Sequence, residues 1–159
     1  MTTVRMIVNG QGYELEVEPR RLLADVLRHD VGCYGVHLGC EHGACGACTV
    51  RIDGRTALSC CVLVVQADGA SVTTIEGIAL QGRLNDVQRA FHMEHGLQCG
   101  FCTPGFIIAA TDLLERIPDP DEEQIRTELS GNLCRCTGYT NIVKAVRTAS
   151  RLLRQEAAR

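Results

Sequence analysis

The chain has 159 residues, a formal net charge of −3 and a hydrophobic content of 45%. This length fits one domain or two small ones, and a weakly acidic chain without a basic stripe argues against a nucleic-acid partner. The sequence has neither an apolar run long enough to span a bilayer nor the apolar segment of a secretory signal, which predicts a cytoplasmic protein with no transmembrane segment. Because cytoplasmic thiols stay reduced, the ten cysteines favour metal binding over disulfides.

The first half of the chain has the period-two pattern of a β-sheet. The predicted strands are residues 3–8, 13–18, 49–52, 55–59, 61–66 and 71–75. Asn9-Gly10 and Asp53-Gly54 are strong signals for the turns of two β-hairpins. Between the hairpins, residues 21–30 carry the apolar stripe of a short amphipathic helix. These elements predict a mixed sheet that packs around one helix.

A glycine-rich loop follows this helix and contains three cysteines, with a fourth further along the chain. The four thiols have the order C-x4-C-x2-C…C and belong to Cys40, Cys45, Cys48 and Cys60. This is the spacing of a plant-type [2Fe–2S] site. Gly39, Gly43 and Gly46 allow the backbone to bend around a compact cluster and bring bare N–H groups close to the sulfurs.

Two other uses of these thiols compete with an iron–sulfur cluster. A structural zinc site pairs two short C-x2–4-C knuckles, whereas this loop crowds three thiols together. Disulfides are disfavoured because Cys45 and Cys48 share one turn and nothing else in the sequence indicates secretion. The spacing therefore favours iron–sulfur and leaves zinc as the alternative.

From about residue 78 the apolar period changes to 3.6, which is typical of helices. The predicted helices run over 85–96, 104–116, 121–129 and 141–157. Asn85 is predicted to cap the first helix, and Thr103 to cap the second with Pro104 at its first position.

A pair of thiols sits at the equivalent place in each of two successive helical hairpins. The pairs are Cys99 with Cys102 and Cys134 with Cys136. Two hairpins packed antiparallel would form a four-helix bundle with an approximate two-fold axis and bring these thiols together at one end. The C-x2-C…C-x-C pattern alone fits zinc and iron–sulfur equally well, and its position after a plant-type loop favours iron–sulfur.

Two cysteines lie outside both quartets. Cys33 is predicted to be a small buried hydrophobe, and so is Cys61, whose side chain would point away from that of Cys60 in a strand.

Several charged residues also invite a functional interpretation. His37 and His42 flank the loop, but a Rieske site replaces two thiolates with histidine and four thiolates are already present, so His42 is predicted at the surface or an interface. His92 and His95 are predicted to be exposed rather than paired on a metal. Arg135 could offset cluster charge or contact a partner. A further set, Arg147, Arg151, Arg154 and Arg159, is predicted to form the solvated face of the last helix.

Three long motifs, taken together, resemble a known family. They are Gly39-Cys40-Glu41-His42-Gly43-Ala44-Cys45-Gly46-Ala47-Cys48-Thr49-Val50, Gln98-Cys99-Gly100-Phe101-Cys102-Thr103-Pro104-Gly105 and Gly131-Asn132-Leu133-Cys134-Arg135-Cys136-Thr137-Gly138-Tyr139. With Cys60 they match the iron–sulfur subunit of molybdenum hydroxylases, the family of xanthine dehydrogenase, aldehyde oxidase, aerobic carbon monoxide dehydrogenase and the bacterial N-heterocycle hydroxylases. The likeness extends from Val4 to about Ser150.

The resemblance implies an α+β fold of two domains. Residues 1–77 would form a β-grasp, plant-type ferredoxin domain, and residues 78–159 a four-helix bundle with pseudo-two-fold symmetry. One [2Fe–2S] cluster would be held by Cys40, Cys45, Cys48 and Cys60, and the other by Cys99, Cys102, Cys134 and Cys136. Gln98 matches a position that hydrogen-bonds the pterin, and Cys136 matches a cluster ligand that also touches it.

The resemblance also implies partners, because the chain is only as long as these two domains. A large molybdopterin-binding subunit and a medium FAD-binding subunit are expected, in a dimer of heterotrimers. The chain would be non-catalytic and would pass electrons from the molybdopterin centre through both clusters to FAD. A free-standing soluble ferredoxin and a zinc-stabilised interaction module are the competing hypotheses. The substrate class stays open among carbon monoxide, aldehydes, purines and N-heterocycles.

Overall fold

A computed structural model describes residues 1–79 and 82–158 of the chain. The strands are β1 (Thr2–Val8), β2 (Gln11–Val17), β3 (Thr49–Ile52), β4 (Arg55–Leu58) and β5 (Ser71–Thr73). The helices are α1 (Leu23–Val26), α2 (Asp86–Met93), α3 (Thr103–Arg116), α4 (Glu122–Glu128) and α5 (Thr140–Ala157). Within the described ranges, none of the helices has the length and apolar character needed to cross a membrane.

The five strands form one mixed sheet in the order β2-β1-β5-β3-β4. β1 pairs antiparallel with β2 and parallel with β5, while β3 pairs antiparallel with β4 and β5. Both predicted hairpins are confirmed. Asn9 and Gly10 have φ values of 52° and 82°, and Asp53 and Gly54 have 49° and 80°. Two consecutive residues with positive φ are the mark of the tight turn that suits the twist of paired strands.

The strand predicted over 61–66 is wrong. The chain instead makes two 3₁₀ turns, Ser59–Cys61 and Val64–Ala67. Its backbone hydrogen bonds go to the start of α1, where Leu23 N–H donates to Val62 O at 2.8 Å and Val64 N–H donates to Arg21 O at 2.9 Å. The apolar run therefore packs beneath the helix rather than adding a strand to the sheet.

Two buried apolar clusters hold the molecule together. The first joins the sheet to α1 and the turn that follows it, and its largest fully buried members are Leu23, Leu27, Val4, Val8, Val17 and Val26. The second joins the helices α2 to α5, and its largest fully buried members are Phe91, Phe106, Ile108, Leu113, Ile125 and Ile142. Each of these two apolar clusters lies next to one of the two groups of cysteines.

The helix caps explain where the helical segments begin. Asn85 caps α2 as predicted, because its side chain accepts a hydrogen bond from the backbone N–H of Gln88 at 2.8 Å. The predicted cap at Thr103 is wrong by one residue. Cys102 occupies the cap, and its carbonyl accepts the first helical hydrogen bond from Phe106 N–H at 3.1 Å. The helix α3 thus starts directly at a thiol.

The two halves meet where α3 packs against β3. At this junction the guanidinium of Arg51 on β3 makes two hydrogen bonds to the carboxylate of Glu115 on α3, at 2.8 and 2.5 Å. A bidentate pair fixes orientation as well as distance. The junction therefore holds the cysteine loop before β3 in a defined position relative to the cysteine that precedes α3.

Candidate metal centres

In the first quartet, the loop turns its backbone amides toward Cys40. The N–H groups of Ala44 and Cys45 each lie 3.3 Å from the Cys40 sulfur. Together with the N–H of His42, which has the largest effect, they lower the pKa of the Cys40 thiol to about 6. Gly43 and Gly46 make this possible, because their φ values of +82° and +72° are accessible to glycine at little cost. The thiol of Cys40 therefore ionises readily to the thiolate, which is the form that binds metal.

The other pair of the first quartet is buried. Cys48 and Cys60 are only 3% and 4% exposed, and their thiols contact each other. Burial raises the pKa of Cys48 to about 12, because a thiolate there loses hydration. A metal ion deprotonates a coordinating thiol outright. This pair therefore suits a bound cationic centre rather than a free thiolate.

In the first quartet the thiol of Cys45 contacts that of Cys40, so its sulfurs also form two pairs. The second quartet likewise consists of two contacting pairs. The sulfurs of Cys99 and Cys136 are 3.6 Å apart and exposed, while Cys102 and Cys134 contact each other in a half-buried position. Burial raises the pKa of Cys102 to about 12. Burial acts to raise the pKa of Cys134, but several hydrogen bonds together outweigh it and lower this pKa. They come from the hydroxyl and N–H of Thr137, at 3.1 and 3.4 Å from the sulfur, from the N–H of Cys136 and from the thiol of Cys102.

This paired arrangement fits a di-iron cluster. A [2Fe–2S] cluster takes four thiolates, two on each iron. A zinc ion needs four donors at about 2.3 Å around a single centre. Within residues 1–79 and 82–158, no three His, Cys, Asp or Glu side chains gather closely enough for one ion, whereas both quartets supply their sulfurs two by two. The geometry of the donors therefore suits two [2Fe–2S] clusters.

The prediction for Cys61 is wrong, and that for Cys33 is confirmed. Cys33 is 5% exposed. Cys61 is exposed, and its sulfur lies 3.7 Å from that of Cys60 instead of on the opposite face. The reason is the 3₁₀ turn at Ser59–Cys61. Successive side chains diverge by about 120° in such a turn, with three residues per turn, rather than the 180° of a strand.

The remaining predictions at the surface are confirmed where the structure describes them. His42, His92 and His95 are exposed, and the Nδ1 of His42 lies 2.6 Å from the carbonyl oxygen of Cys40. Arg147, Arg151 and Arg154 on α5 are exposed as well. Arg135, for which the sequence leaves two roles open, is also exposed. Arg159 lies outside the described residues.

Gln98 is exposed beside the open end of the second quartet. It directly precedes Cys99, whose sulfur meets that of Cys136 at 3.6 Å. Three large apolar side chains are also exposed on the segments that carry these thiols, with exposed fractions of 39% for Leu97, 47% for Phe101 and 51% for Leu133. Polar Gln98 and the two accessible sulfurs therefore lie on segments that also expose apolar side chains.

The two quartets are connected through backbone groups that sequence reasoning missed. Leu133 N–H donates to the carbonyl of Cys45 at 2.9 Å, and the side chain of Asn132 donates to the carbonyl of Gly46 at 2.9 Å. The sequence assigns Gly131-Asn132 only to the end of a helix. The segment that follows α4 therefore also binds the cysteine loop of the first half of the chain. This contact is visible only in the folded structure.

Comparisons with known proteins agree with this geometry. A family model described as "2Fe-2S iron-sulfur cluster binding domain" matches residues 6–70, and one described as "[2Fe-2S] binding domain" matches residues 74–147. The chain is 49% identical over 150 residues to the caffeine dehydrogenase subunit gamma of Pseudomonas sp. (strain CBB1), which covers 92% of this chain and 90% of that protein.

Two further comparisons give the same result. The nicotine 6-hydroxylase small subunit of Paenarthrobacter nicotinovorans is 52% identical over 139 residues, covering 87% of this chain and 84% of that protein. The crystal structure of quinoline 2-oxidoreductase from Pseudomonas putida 86 aligns with a TM-score of 0.93 at 43% identity, covering 97% of this chain and 96% of that chain. The chain thus belongs to the small [2Fe–2S]-binding subunits of the molybdenum hydroxylases, a family of oxidoreductase complexes.

Proposed function

We propose that this chain is the electron-transfer subunit of a molybdenum hydroxylase. Residues 1–77 form a β-grasp ferredoxin domain whose cluster is held by Cys40, Cys45, Cys48 and Cys60. Residues 78–159 form a four-helix domain with pseudo-two-fold symmetry, whose cluster is held by Cys99, Cys102, Cys134 and Cys136. Each cluster, when bound, accepts and releases one electron.

The observation that carries this proposal is the pair of four-thiol sites, whose segments are joined directly by hydrogen bonds. The carbonyl of Cys45 accepts from Leu133 N–H at 2.9 Å, and Leu133 is bonded directly to Cys134. A ligand of the first cluster is thereby linked to a ligand of the second through a few covalent bonds and a single hydrogen bond. The chain thus offers electrons a continuous bonded route between its two halves.

The residues around the sulfurs stabilise negative charge there. The amides of His42, Ala44 and Cys45 surround the Cys40 sulfur, and Thr137 donates twice to the Cys134 sulfur. Hydrogen bonds to cluster sulfurs are one of the means by which a protein tunes a reduction potential. We propose that these groups adapt the two potentials to a relay between partner subunits.

The exposed end of the second quartet is the proposed contact with the large molybdopterin-binding subunit. Gln98 and Cys136 there would touch the pterin, and the apolar side chains of Leu97, Phe101 and Leu133 would be buried by the partner. Exposed apolar side chains next to a few polar groups in the chain are typical of protein interfaces. The ferredoxin domain would face the medium FAD-binding subunit, in a dimer of heterotrimers.

We also propose the substrate class and the cellular compartment of the complex. The names of the three relatives described above specify caffeine, nicotine and quinoline, which are all nitrogen heterocycles, so we propose that the complex oxidises a substrate of this class. All ten cysteines are free thiols, which suits a complex in the reducing cytoplasm. A purified complex that oxidises aldehydes but no N-heterocycle would contradict the first proposal.

Purification of the tagged chain from its native producer tests the proposed function. We expect flavin and molybdopterin to elute with it in stoichiometric amounts. Leu133→Asp should weaken the affinity for the molybdopterin-containing subunit roughly tenfold, about 1.4 kcal/mol, and so lower the amount of molybdopterin that co-elutes, because a carboxylate would replace an apolar contact at the interface. A matched control is Leu153→Asp, since Leu153 is 38% exposed and lies on α5, about 20 Å along the helix from Tyr139.

Other outcomes would contradict the proposal. A brown protein that elutes without flavin or molybdopterin would be a free-standing ferredoxin. A colourless, zinc-loaded protein would be an interaction module without redox activity.

A further inference from the structure

Tyr139, the residue before α5, has a backbone conformation that is rare for a large side chain. Its φ is +68° and its ψ is −18°, in the left-handed region that glycine favours. A Cβ in this region crowds the neighbouring backbone and costs free energy. Backbone strain of this kind persists only where the surrounding structure fixes the residue in place, and it concentrates at functional sites.

Two helices hold Tyr139 in place. Its carbonyl accepts a hydrogen bond at 3.0 Å from the N–H of Val143, near the start of α5. Its half-buried ring packs against the apolar cluster of the helices and meets the ring of Phe106 on α3 edge to face, with centroids 6.4 Å apart and planes at 63°. Tyr139 is therefore part of the rigid framework of the helical domain.

The segment that leads to Tyr139 carries one pair of thiols of the second quartet. Residues 131–139 form neither a helix nor a strand, and they include Cys134 and Cys136. The backbone groups of such a segment lack the regular hydrogen bonds of a helix or a sheet. Specific contacts are therefore needed to hold the two thiols in a defined position.

Tyr139 makes two hydrogen bonds to this segment. Its phenol oxygen accepts from the backbone N–H of Cys134 at 3.1 Å, five residues earlier in the chain. Its own backbone N–H donates to the hydroxyl oxygen of Thr137 at 3.1 Å, which closes a short turn through a threonine side chain. Tyr139 thus binds the segment at Cys134 and again at Thr137.

These two residues also contact each other at the sulfur. The hydroxyl of Thr137 lies 3.1 Å from the sulfur of Cys134. A backbone N–H only donates, so the hydroxyl oxygen accepts from Tyr139 and its own proton is free to point at the sulfur. Tyr139 therefore holds both the residue that donates this hydrogen bond and the residue that accepts it.

We propose that Tyr139 is a positioning residue for the cluster of the helical domain, because it keeps the Thr137 hydroxyl and the Cys134 sulfur within hydrogen-bond distance. The inference rests on the proposed function, since it assumes a cluster on Cys134. A reduced cluster is more negative than an oxidised one, so a hydrogen-bond donor to its sulfur favours reduction. Loss of the phenol oxygen releases the backbone at Cys134, weakens this hydrogen bond and lowers the reduction potential of this cluster. The potential of the ferredoxin-domain cluster stays unchanged.

Four substitutions separate the role of the phenol oxygen from other effects. Tyr139→Phe removes this oxygen and keeps the ring, the backbone N–H and the left-handed conformation. Thr137→Val removes the hydroxyl that donates to the sulfur, whereas Thr137→Ser retains a hydroxyl. Tyr13→Phe is the matched control, because Tyr13 on β2 is also half-buried against an apolar cluster but lies in the ferredoxin domain.

The measurement is a redox titration of the purified complex, with both reduced clusters followed by EPR. Cys102→Ala, which should lose the helical-domain cluster, identifies the signal of that cluster. Tyr139→Phe should reduce the equilibrium constant for reduction of this cluster threefold or more, about 28 mV at 59 mV per tenfold for one electron. Thr137→Val should reduce it by at least as much, while Thr137→Ser and Tyr13→Phe should match the wild type.

A double variant tests whether Tyr139 acts through Thr137. When Tyr139→Phe is added to Thr137→Val, the constant should fall by less than about 1.5-fold further, because the hydroxyl that Tyr139 positions is already absent. Residues that act independently would instead give additive shifts.

The proposal would be overturned by an unchanged or raised potential in Tyr139→Phe, by an equal shift in Tyr13→Phe, by additive shifts in the double variant, or by a Thr137→Ser potential as low as that of Thr137→Val. Loss of the helical-domain cluster from Tyr139→Phe would also overturn it, because Tyr139 would then be needed for cluster binding itself. All these results require two EPR signals in the wild type. A wild-type complex with a single signal would instead overturn the proposed function.

Discussion

Cys48→Ala is expected to remove one cluster and leave the other, so that iron falls from about four to about two atoms per chain. Cys48 is 3% exposed and contacts Cys60, so water has little access to the position that its thiolate would leave. Cys102→Ala should cause the complementary loss, because Cys102 contacts Cys134 at the second site. Iron analysis and EPR of each variant would show which of the two signals remains.

Cys61→Ala is the matched control for these losses. Its sulfur lies 3.7 Å from that of Cys60, yet it belongs to neither quartet, so this variant should retain about four irons. Retention of all iron in Cys48→Ala, or loss of half of it in Cys61→Ala, would mean that the first quartet is assigned wrongly.

Gly46→Ala is expected to destabilise the junction between the two sites by roughly 2–5 kcal/mol. The estimate adds about 1–2 kcal/mol for a side chain in the left-handed region, where Gly46 has φ +72°, to about 1–3 kcal/mol for overpacking. Its Cβ would collide with the carbonyl oxygen of Gly131 and lie 2.6 Å from the side-chain nitrogen of Asn132. The thermal transition of the loaded protein, followed by cluster absorbance, should fall by about 10 °C.

Two other glycines separate backbone strain from the collision. Gly54 has a similar φ of +80° with nothing within 4 Å of its Cβ position, so Gly54→Ala should show only the smaller effect of strain. Gly105 lies within α3, where alanine is normally favoured by about 1 kcal/mol, but its Cβ would collide with the carbonyl of Gly46. A stabilising Gly105→Ala, or equal losses for Gly46→Ala and Gly54→Ala, would contradict the close packing of these backbones.

Local signals in the sequence were sufficient to predict many of the elements. The Asn9-Gly10 turn and the cap at Asn85 depend on neighbouring residues alone, and both are confirmed. The segment 61–66 failed because its apolar run fits a strand and a buried turn equally well. Its backbone partners, Arg21 and Leu23, lie about forty residues away, so no local pattern could identify them.

For the cysteines, too, local sequence signals were sufficient for some features, whereas others depended on contacts with distant residues. The cysteine spacing predicted two groups of four, and the structure brings the thiols together in pairs within those groups. The position of Cys61 depended on a turn that the sequence did not reveal. The link between the sites from Leu133 to Cys45 joins residues 88 positions apart, counting 133 − 45. Contacts of this kind arise from packing between the halves rather than from any pattern along the chain.

Metal and sulfide analysis of the purified wild-type protein, combined with EPR after complete reduction, tests the central claim most directly. We expect about four irons and four labile sulfides per chain, with two distinct signals from two one-electron centres. One cluster per chain, or zinc in place of iron, would contradict the claim that the eight thiols hold two [2Fe–2S] clusters.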